Sequence, residues 1–593
     1  MRAKEHSTIK SRILKYAMDL WGVKDAKDMD PVVDLLLDVF ANESYLLQQE
    51  ISRSDAMLLR RLSSILVDSK WSLPFPSHAL MSVSPNKGES VCLDAEDHFY
   101  AEKYIFGKDE VQVFFTPLYS HELIDAKVAA TLTADSLFLY TNELKDSSPY
   151  SIAASTLIPS NVVWIALDID AEQLEKLSKI SLCVLPQKWD ILPFLKAGTF
   201  YDAEGDVLRS TNGISEKDVY GNAHYYDGIK DYYNDLFFDI DIDSHSLIQE
   251  SARGLFNLSD ITSLSEFDFD KPHVWLKMKL PEIIDLPVID GLRFYINTFP
   301  IVNRKLVSQQ HNFKSNGNII PLYGEKECDF LNIRCIQDDN GNVYVDKMNS
   351  LNEDSYGVFS LYFGDLERFD SSNAKSLIRK LLQSIREEGN AFAAMKPDTL
   401  TSQLKSLFEK INIIETEMAS HKDERNSVKA FALTIPEPNA TYGEIKYWGT
   451  SGEIANGFSE NCMMHQFNMD KFDGSSIYLR TETIGGKLLI NDQELIRSMR
   501  YGLLTKNRIV SKEDIRSYIL HKIGNMIRDI DIHEGVGLSS NPNKGLVRVT
   551  EIHIKLNESA HKNEYDYSPL SNVFEKELSR HSVIGSNYKV CFI

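Results

Sequence analysis

Long apolar runs are missing from this chain. Nowhere do about 18 consecutive apolar residues occur, the length a helix needs to cross a bilayer, so no membrane-spanning helix is expected. The N-terminal MRAKEHSTIKSRILKYAMDL is charged and amphipathic and lacks the uninterrupted apolar centre of a signal peptide. Positive charge is also short: 64 Lys and Arg face 86 Asp and Glu, for a formal net charge of −22. Binding to phosphate backbones needs Lys/Arg-rich surfaces that displace counterions, so no nucleic-acid partner is expected. An acidic surface repels anionic membranes, which argues against direct membrane insertion. The six cysteines, Cys92, Cys183, Cys328, Cys335, Cys462 and Cys591, form no Cys-x-x-Cys pair. Their scatter fits neither a zinc ribbon nor a disulfide framework and reads as reduced thiols in a cytoplasmic protein. The signatures HExxH, GxSxG and GxxxxGK followed by Ser or Thr do not occur, and no internal repeat or low-complexity tract is visible.

What is present is ample material for several cores. The 593 residues are 43% hydrophobic and 25% charged, an ordinary soluble composition, and at roughly 150 residues per domain three or four domains are expected. Residues 1–72 read as helices. Asp30-Pro31 supplies a cap and a first-turn proline, and Val32, Leu35, Leu36, Val39 and Phe40 follow at helical spacing; after Ser54 come Leu58, Leu62 and Ile65. Pro74 and Pro76 end that part, and residues 73–365 become β-rich, in two modules. Runs such as Val162-Val163-Trp164-Ile165-Ala166-Leu167 and the alternating Val274-Trp275-Leu276-Lys277-Met278 read as strands, with a helical interruption at 171–179. Residues 366–425 read as a helical connector with an apolar face of Leu377, Ile378, Leu381, Leu382 and Ile385. The rest, 426–593, reads as an α/β unit. Ser511 with Asp514 approximates a capping box for a helix 512–528, and the helix–strand–strand–helix–strand order is compatible with a ferredoxin-like split βαβ module. The expected class is therefore α+β and multidomain.

Candidates for chemistry are few. Asp239, Asp241, Asp243 and Glu250 occupy positions 1, 3, 5 and 12 of a twelve-residue calcium loop. Ser244 stands where the sharp turn needs Gly, however, and Ile240 and Ile242 make the run alternate like a strand with an acidic, solvated face. Gly535-Val536-Gly537 lacks a strand–glycine–helix setting and reads as a tight turn between strands. The 15 histidines form no ligand pair. No catalytic residue and no cofactor is expected.

Three blocks resemble the TssF family, baseplate subunits of type VI secretion systems related to wedge proteins of contractile-phage baseplates. The first runs from Asp30-Pro31-Val32-Val33-Asp34-Leu35-Leu36 to the exit Leu73-Pro74-Phe75-Pro76-Ser77-His78-Ala79-Leu80-Met81-Ser82-Val83. The second, Asn297-Thr298-Phe299-Pro300-Ile301-Val302-Asn303, matches the family's Asn-x-Phe-Pro-(Val/Ile)-Val-Asn strand across seven residues. A plain strand ended by Pro300 explains its apolar positions but not its two flanking asparagines. The third, Arg508-Ile509-Val510-Ser511-Lys512-Glu513-Asp514-Ile515, is similar to a helix start in related baseplate proteins. The acidity and the insert around 200–260 depart from the commoner pattern. The resemblance implies a non-enzymatic scaffold in the cytoplasm at a membrane-docked baseplate. It would assemble with a second copy of itself and a TssG-like subunit, linking sheath, spike and other baseplate components. Leu35, Leu36, Val39, Phe40, Leu58, Leu62 and Ile65 are then the candidate intersubunit residues. A baseplate protein of a phage or extracellular injection device, and a metal-assisted enzyme using the Asp239–Glu250 acids, are the alternatives.

Overall fold

The computed structural model describes residues 73–363 and 430–592, apart from short stretches that include 215–224, 243–246, 257–266, 539–545 and 558–567, together with residues 11–17 and isolated positions between 33 and 44. The expected connector 366–425 and most of the expected bundle 1–72 lie outside the described residues. The chain divides into two compact units, Met1–Ser72 with Ile490–Lys506, and Leu73–Leu489 with Asn507–Ile593. In the first, the described residues are helical: 11–17, the positions between 33 and 44, and the helix Asp492–Thr505.

The second unit is strand-rich, with several separate sheets, and the fold is α+β. Its centre shows how sequence texture becomes architecture. Strand Val162–Ile169 lies between Pro272–Lys279 and Ala126–Thr133, antiparallel to both. Val163, Ile165, Leu167 and Ile169 enter one core and Ala166 another, because successive side chains point to opposite faces of a strand. Both faces are covered, which is why the run is almost continuously apolar rather than alternating. Opposite it, Lys179–Leu185 and Phe237–Asp241 pair with each other and bury Ile180, Leu182, Phe238 and Ile240 in the first of those cores. The expected helix at 171–179 is one turn, Ala171–Leu174, and Lys179 already opens a strand.

Residues 430–479, read from the sequence as the start of the C-terminal unit, pair into the sheets of the middle region. Tyr442–Thr450 lies between Lys305–Asn312 and Asp329–Asp338, and Ala430–Ile435 between Ile319–Leu322 and Val358–Phe363. Strand pairing is non-local, and alternation along a strand carries no record of its partner.

The C-terminal body follows its expected order. Ser511 and Asp514 form a complete capping box, which satisfies amides that the first helical turn leaves unpaired. The helix Lys512–Ile523 ends at Gly524, short of the expected 528, and Ile527 begins a strand. Ile527–Leu538 and Leu546–Leu556 pair antiparallel, and Tyr588–Phe592 pairs parallel and directly with the latter after helix Ser568–His581. A split βαβ has a strand between its parallel pair; here the parallel strands are immediate neighbours, so the unit is a plain β-α-β with one added strand. Gly535 and Gly537 are not in a turn. They sit within the long strand, where a Cβ on Gly535 would fall 2.5 Å from the Glu551 carboxyl carbon.

Candidate functional site

The first two of the three blocks, more than 200 residues apart, become hydrogen-bonded neighbours. Strand His78–Ser82 pairs antiparallel with Thr298–Val302, with His78 opposite Val302 and Met81 opposite Phe299. All five residues of Thr298–Val302 are buried. Pro300 does not end this strand, and the ladder accommodates its missing N–H. Leu80, opposite it, gives its own N–H to Thr481 Oγ1 at 2.9 Å and accepts from the Arg480 amide at 2.7 Å. A proline is tolerated inside a sheet where no ladder donor is required of it.

The flanking asparagines are clamps. Asn297 sits at φ +52°, a left-handed conformation that Asn tolerates better than most residues. Its amide closes on Ile124, accepting from the backbone N–H at 3.0 Å and donating to the carbonyl at 2.6 Å. Asn303 is 1% exposed. Its Oδ1 accepts from Ser451 N at 2.9 Å and Thr450 Oγ1 at 2.7 Å, and its Nδ2 donates to Phe114 O at 2.8 Å. Its own amide donates to Ser77 O at 2.7 Å, so one residue ties together segments at 77, 114 and 450–451. Ser77 is itself turned to backbone, its hydroxyl donating to Ala455 O and Ile484 O. Sequence reasoning missed the next residue. Arg304 is buried, and its described partners are all uncharged: Thr116 Oγ1, the Tyr225 hydroxyl and the Pro117 and Ala95 carbonyls, with its guanidinium 4.2 Å from the Trp448 ring centre. Arg480 is fully buried as well, donating to Ser82 Oγ and lying 4.7 Å from the Tyr295 ring centre. No local feature of the sequence marks either arginine as buried.

His78 belongs to the same region. Its Nδ1 and the Tyr233 hydroxyl lie 3.0 Å apart. Burial, aided by the Lys522 charge, lowers its pKa to about 3, so the ring is neutral at ordinary pH. Gly485, at φ +84°, lies so close that a Cβ would meet His78 Nε2 at 2.7 Å. Together these groups fix chain crossings.

No family model matches the chain, and no curated protein does. Among solved structures it is similar to a chain of the type VI secretion system TssK-TssF-TssG baseplate subcomplex, at 12% identity and a TM-score of 0.44 over 95% of this chain and 96% of that one. It is also similar to a chain of a type VI secretion system baseplate complex, at 11% identity and a TM-score of 0.36 over 99% of this chain and 96% of that one.

The remaining candidates separate. Of the helical stripe, Leu36, Val39 and Phe40 are described; they are helical and 54%, 55% and 65% exposed, whereas Ala41 beside them is buried. Leu35, Leu58, Leu62 and Ile65 lie outside the described residues, as does Asp243. Asp239 and Asp241 share strand Phe237–Asp241, while Glu250 is in Gln249–Ser251, paired into a different sheet. Of the two described acids on that strand, Asp241 is exposed as expected of a solvated acidic face, whereas Asp239 is buried between two neighbouring strands and ion-paired with Lys179 at 2.6 Å. Among the described residues no three His, Cys, Asp or Glu side chains are grouped to hold a metal, and no helix is long and apolar enough to cross a membrane. His273 stacks on Phe267 and His311 Nε2 lies 2.9 Å from Gly317 O, both set within the fold.

Proposed function

We propose that the chain is a non-enzymatic structural subunit of a contractile-apparatus baseplate, of the TssF kind, that assembles through its N-terminal helical segment with a TssG-like partner and a second copy of itself. The observation that carries the reading is the exposed apolar triplet Leu36, Val39 and Phe40. Spaced i, i+3 and i+4 on helical residues, the three stand on one face, and a stripe of this kind associates with a partner's helices by interlocking side chains. The ordered sequence blocks support it. Two of them are the adjoining strands His78–Ser82 and Thr298–Val302, whose flanking asparagines hydrogen-bond to distant segments, as a load-transmitting scaffold requires.

Co-expression with the TssG-like product of a neighbouring gene tests it. A stable complex is expected with the wild-type chain, and none when Leu36, Val39 and Phe40 are each replaced by Glu, with the soluble yield of the chain unchanged. A complex that survives the triple replacement, or no complex with the wild-type chain, overturns the reading. Neighbouring genes distinguish the secretion apparatus, with a sheath-recycling ATPase, from a phage or phage-derived device with capsid and terminase genes.

A further inference from the structure

The C-terminal body meets the rest of its unit along helix Ser568–His581, which lies against helix Tyr226–Tyr233 and the turn Trp189–Ile191 and reaches Asp235 in the turn Asn234–Leu236. The receiving side carries Asp227, Asp231 and Asp235, four residues apart and therefore in one row. The arriving helix carries Lys576 and Arg580 at the same interval. The two rows match. Arg580 donates from Nη2 to Asp227 and from Nη1 to Asp231, each at 3.0 Å. Lys576 pairs with Asp235, which Lys196 also reaches at 2.8 Å. Behind the rows, Glu577 binds Lys522 at 3.0 Å and the Tyr518 hydroxyl, both from its own body. Gly228 leaves room for it, since a Cβ there would stand 3.1 Å from Glu577 Oε1.

Apolar contact between the two bodies is limited; away from the arriving helix, Phe75 packs edge-on against His521 with ring centres 5.7 Å apart and lies 5.6 Å from Lys522 Nζ. From the arriving helix, Val573 and, partly buried, Leu570 reach the middle core. Each side has buried residues of its own: Tyr518 packs edge-on against Phe574, and Ile552, Leu578 and Val590 are buried in the C-terminal body, while the receiving helix buries Ile229 and Tyr233 in the middle core. Separation would present an acidic row on one side and a mainly basic one on the other, both readily solvated. Charge-matched contacts between bodies are weakened by salt, whereas apolar ones are not.

We propose that this seam is an electrostatic latch: it holds the C-terminal body by paired charge rows and releases it at raised ionic strength with both bodies still folded. The inference stands independently of the baseplate reading. Hydrogen exchange on the full chain tests it, at about 0.05 M and about 0.5 M salt, where the screening length falls from roughly 14 Å to roughly 4 Å. In high salt the amides of Tyr226–Tyr233 and Ser568–His581 should exchange at least about tenfold faster, while Val162–Ile169 and Leu546–Leu556 keep their protection. Arg580→Glu, which sets a carboxylate against Asp227 and Asp231, should give the fast exchange already at low salt, and adding Asp227→Lys should restore protection. Seam exchange that is equal at both salt concentrations, or an Arg580→Glu chain protected like wild type, overturns the latch. So does a salt response in which Val162–Ile169 loses protection together with the seam, because the two bodies would then open as one.

Discussion

Around Asn303 buried polar groups are held by neutral amides, hydroxyls and carbonyls, whereas along helix Ser568–His581 they are held by ion pairs at a partly exposed junction, with Asp235 the buried member. The two regions handle the same desolvation problem in opposite ways. A neutral clamp draws its strength from direct hydrogen bonds that salt does not screen, and removing one partner strands several buried groups at once. An ionic seam loses desolvation energy on closing and regains it on opening, so its net contribution is small and adjustable. Rigidity within the middle body and compliance at its junction with the C-terminal body follow from that difference.

The contrast is broken most severely at the clamp. Asn303→Ala should destabilise the chain by about 4 kcal/mol, since Ser451 N–H, Phe114 C=O and the Thr450 hydroxyl all lose a buried partner at roughly 1–3 kcal/mol each. The urea midpoint measures this, and a loss below about 1 kcal/mol would show that water or relaxation replaces the clamp. Next in size is Gly485→Ala, which puts a Cβ 2.7 Å from His78 Nε2 at a positive φ. It should cost about 2–3 kcal/mol, seen as a lowered thermal midpoint.

His78 adds a pH test. Its folded pKa is lowered to about 3 by burial and by Lys522, while the unfolded ring titrates near 6.5. The unfolded chain therefore takes up the proton first. Stability is complete above about 6.5 and declines toward pH 3, with a slope of up to about 1.4 kcal/mol per pH unit. A shallower acid dependence is expected for His78→Gln, and an identical one would rule the histidine out. The smallest effect belongs to the seam. Arg580→Ala, at an exposed site, should change global stability by less than about 1 kcal/mol at low salt and by nothing measurable at high salt, read from paired denaturation curves.

Legibility in the sequence followed the range of the interactions involved. The capping box at Ser511 was readable because it closes within four residues. Strand Val162–Ile169 was readable because a doubly covered strand is apolar throughout. The glycines at 535 and 537 misread as a turn because glycine also marks close approach, here of the Glu551 side chain. Asp239 misread as solvated because alternation gives the face of a strand and not what covers it; Lys179 and the two flanking strands do. Arg304 and Arg480 gave no local sign of burial, since their acceptors come from segments tens to hundreds of residues away.

The sequence by itself determined the α+β class, the want of long apolar and basic stretches, the local helix start and the asparagines at 297 and 303 as positions that a plain strand does not explain. Tertiary structure alone decided what those asparagines hold, that 430–479 completes the middle sheets, and that the rows at 227–235 and 576–580 face each other. The physical reason is common to all three. Hydrogen-bond and charge partners in a β-rich fold are chosen by distance in space, and period-two alternation along a strand carries no information about which distant strand or helix will supply them.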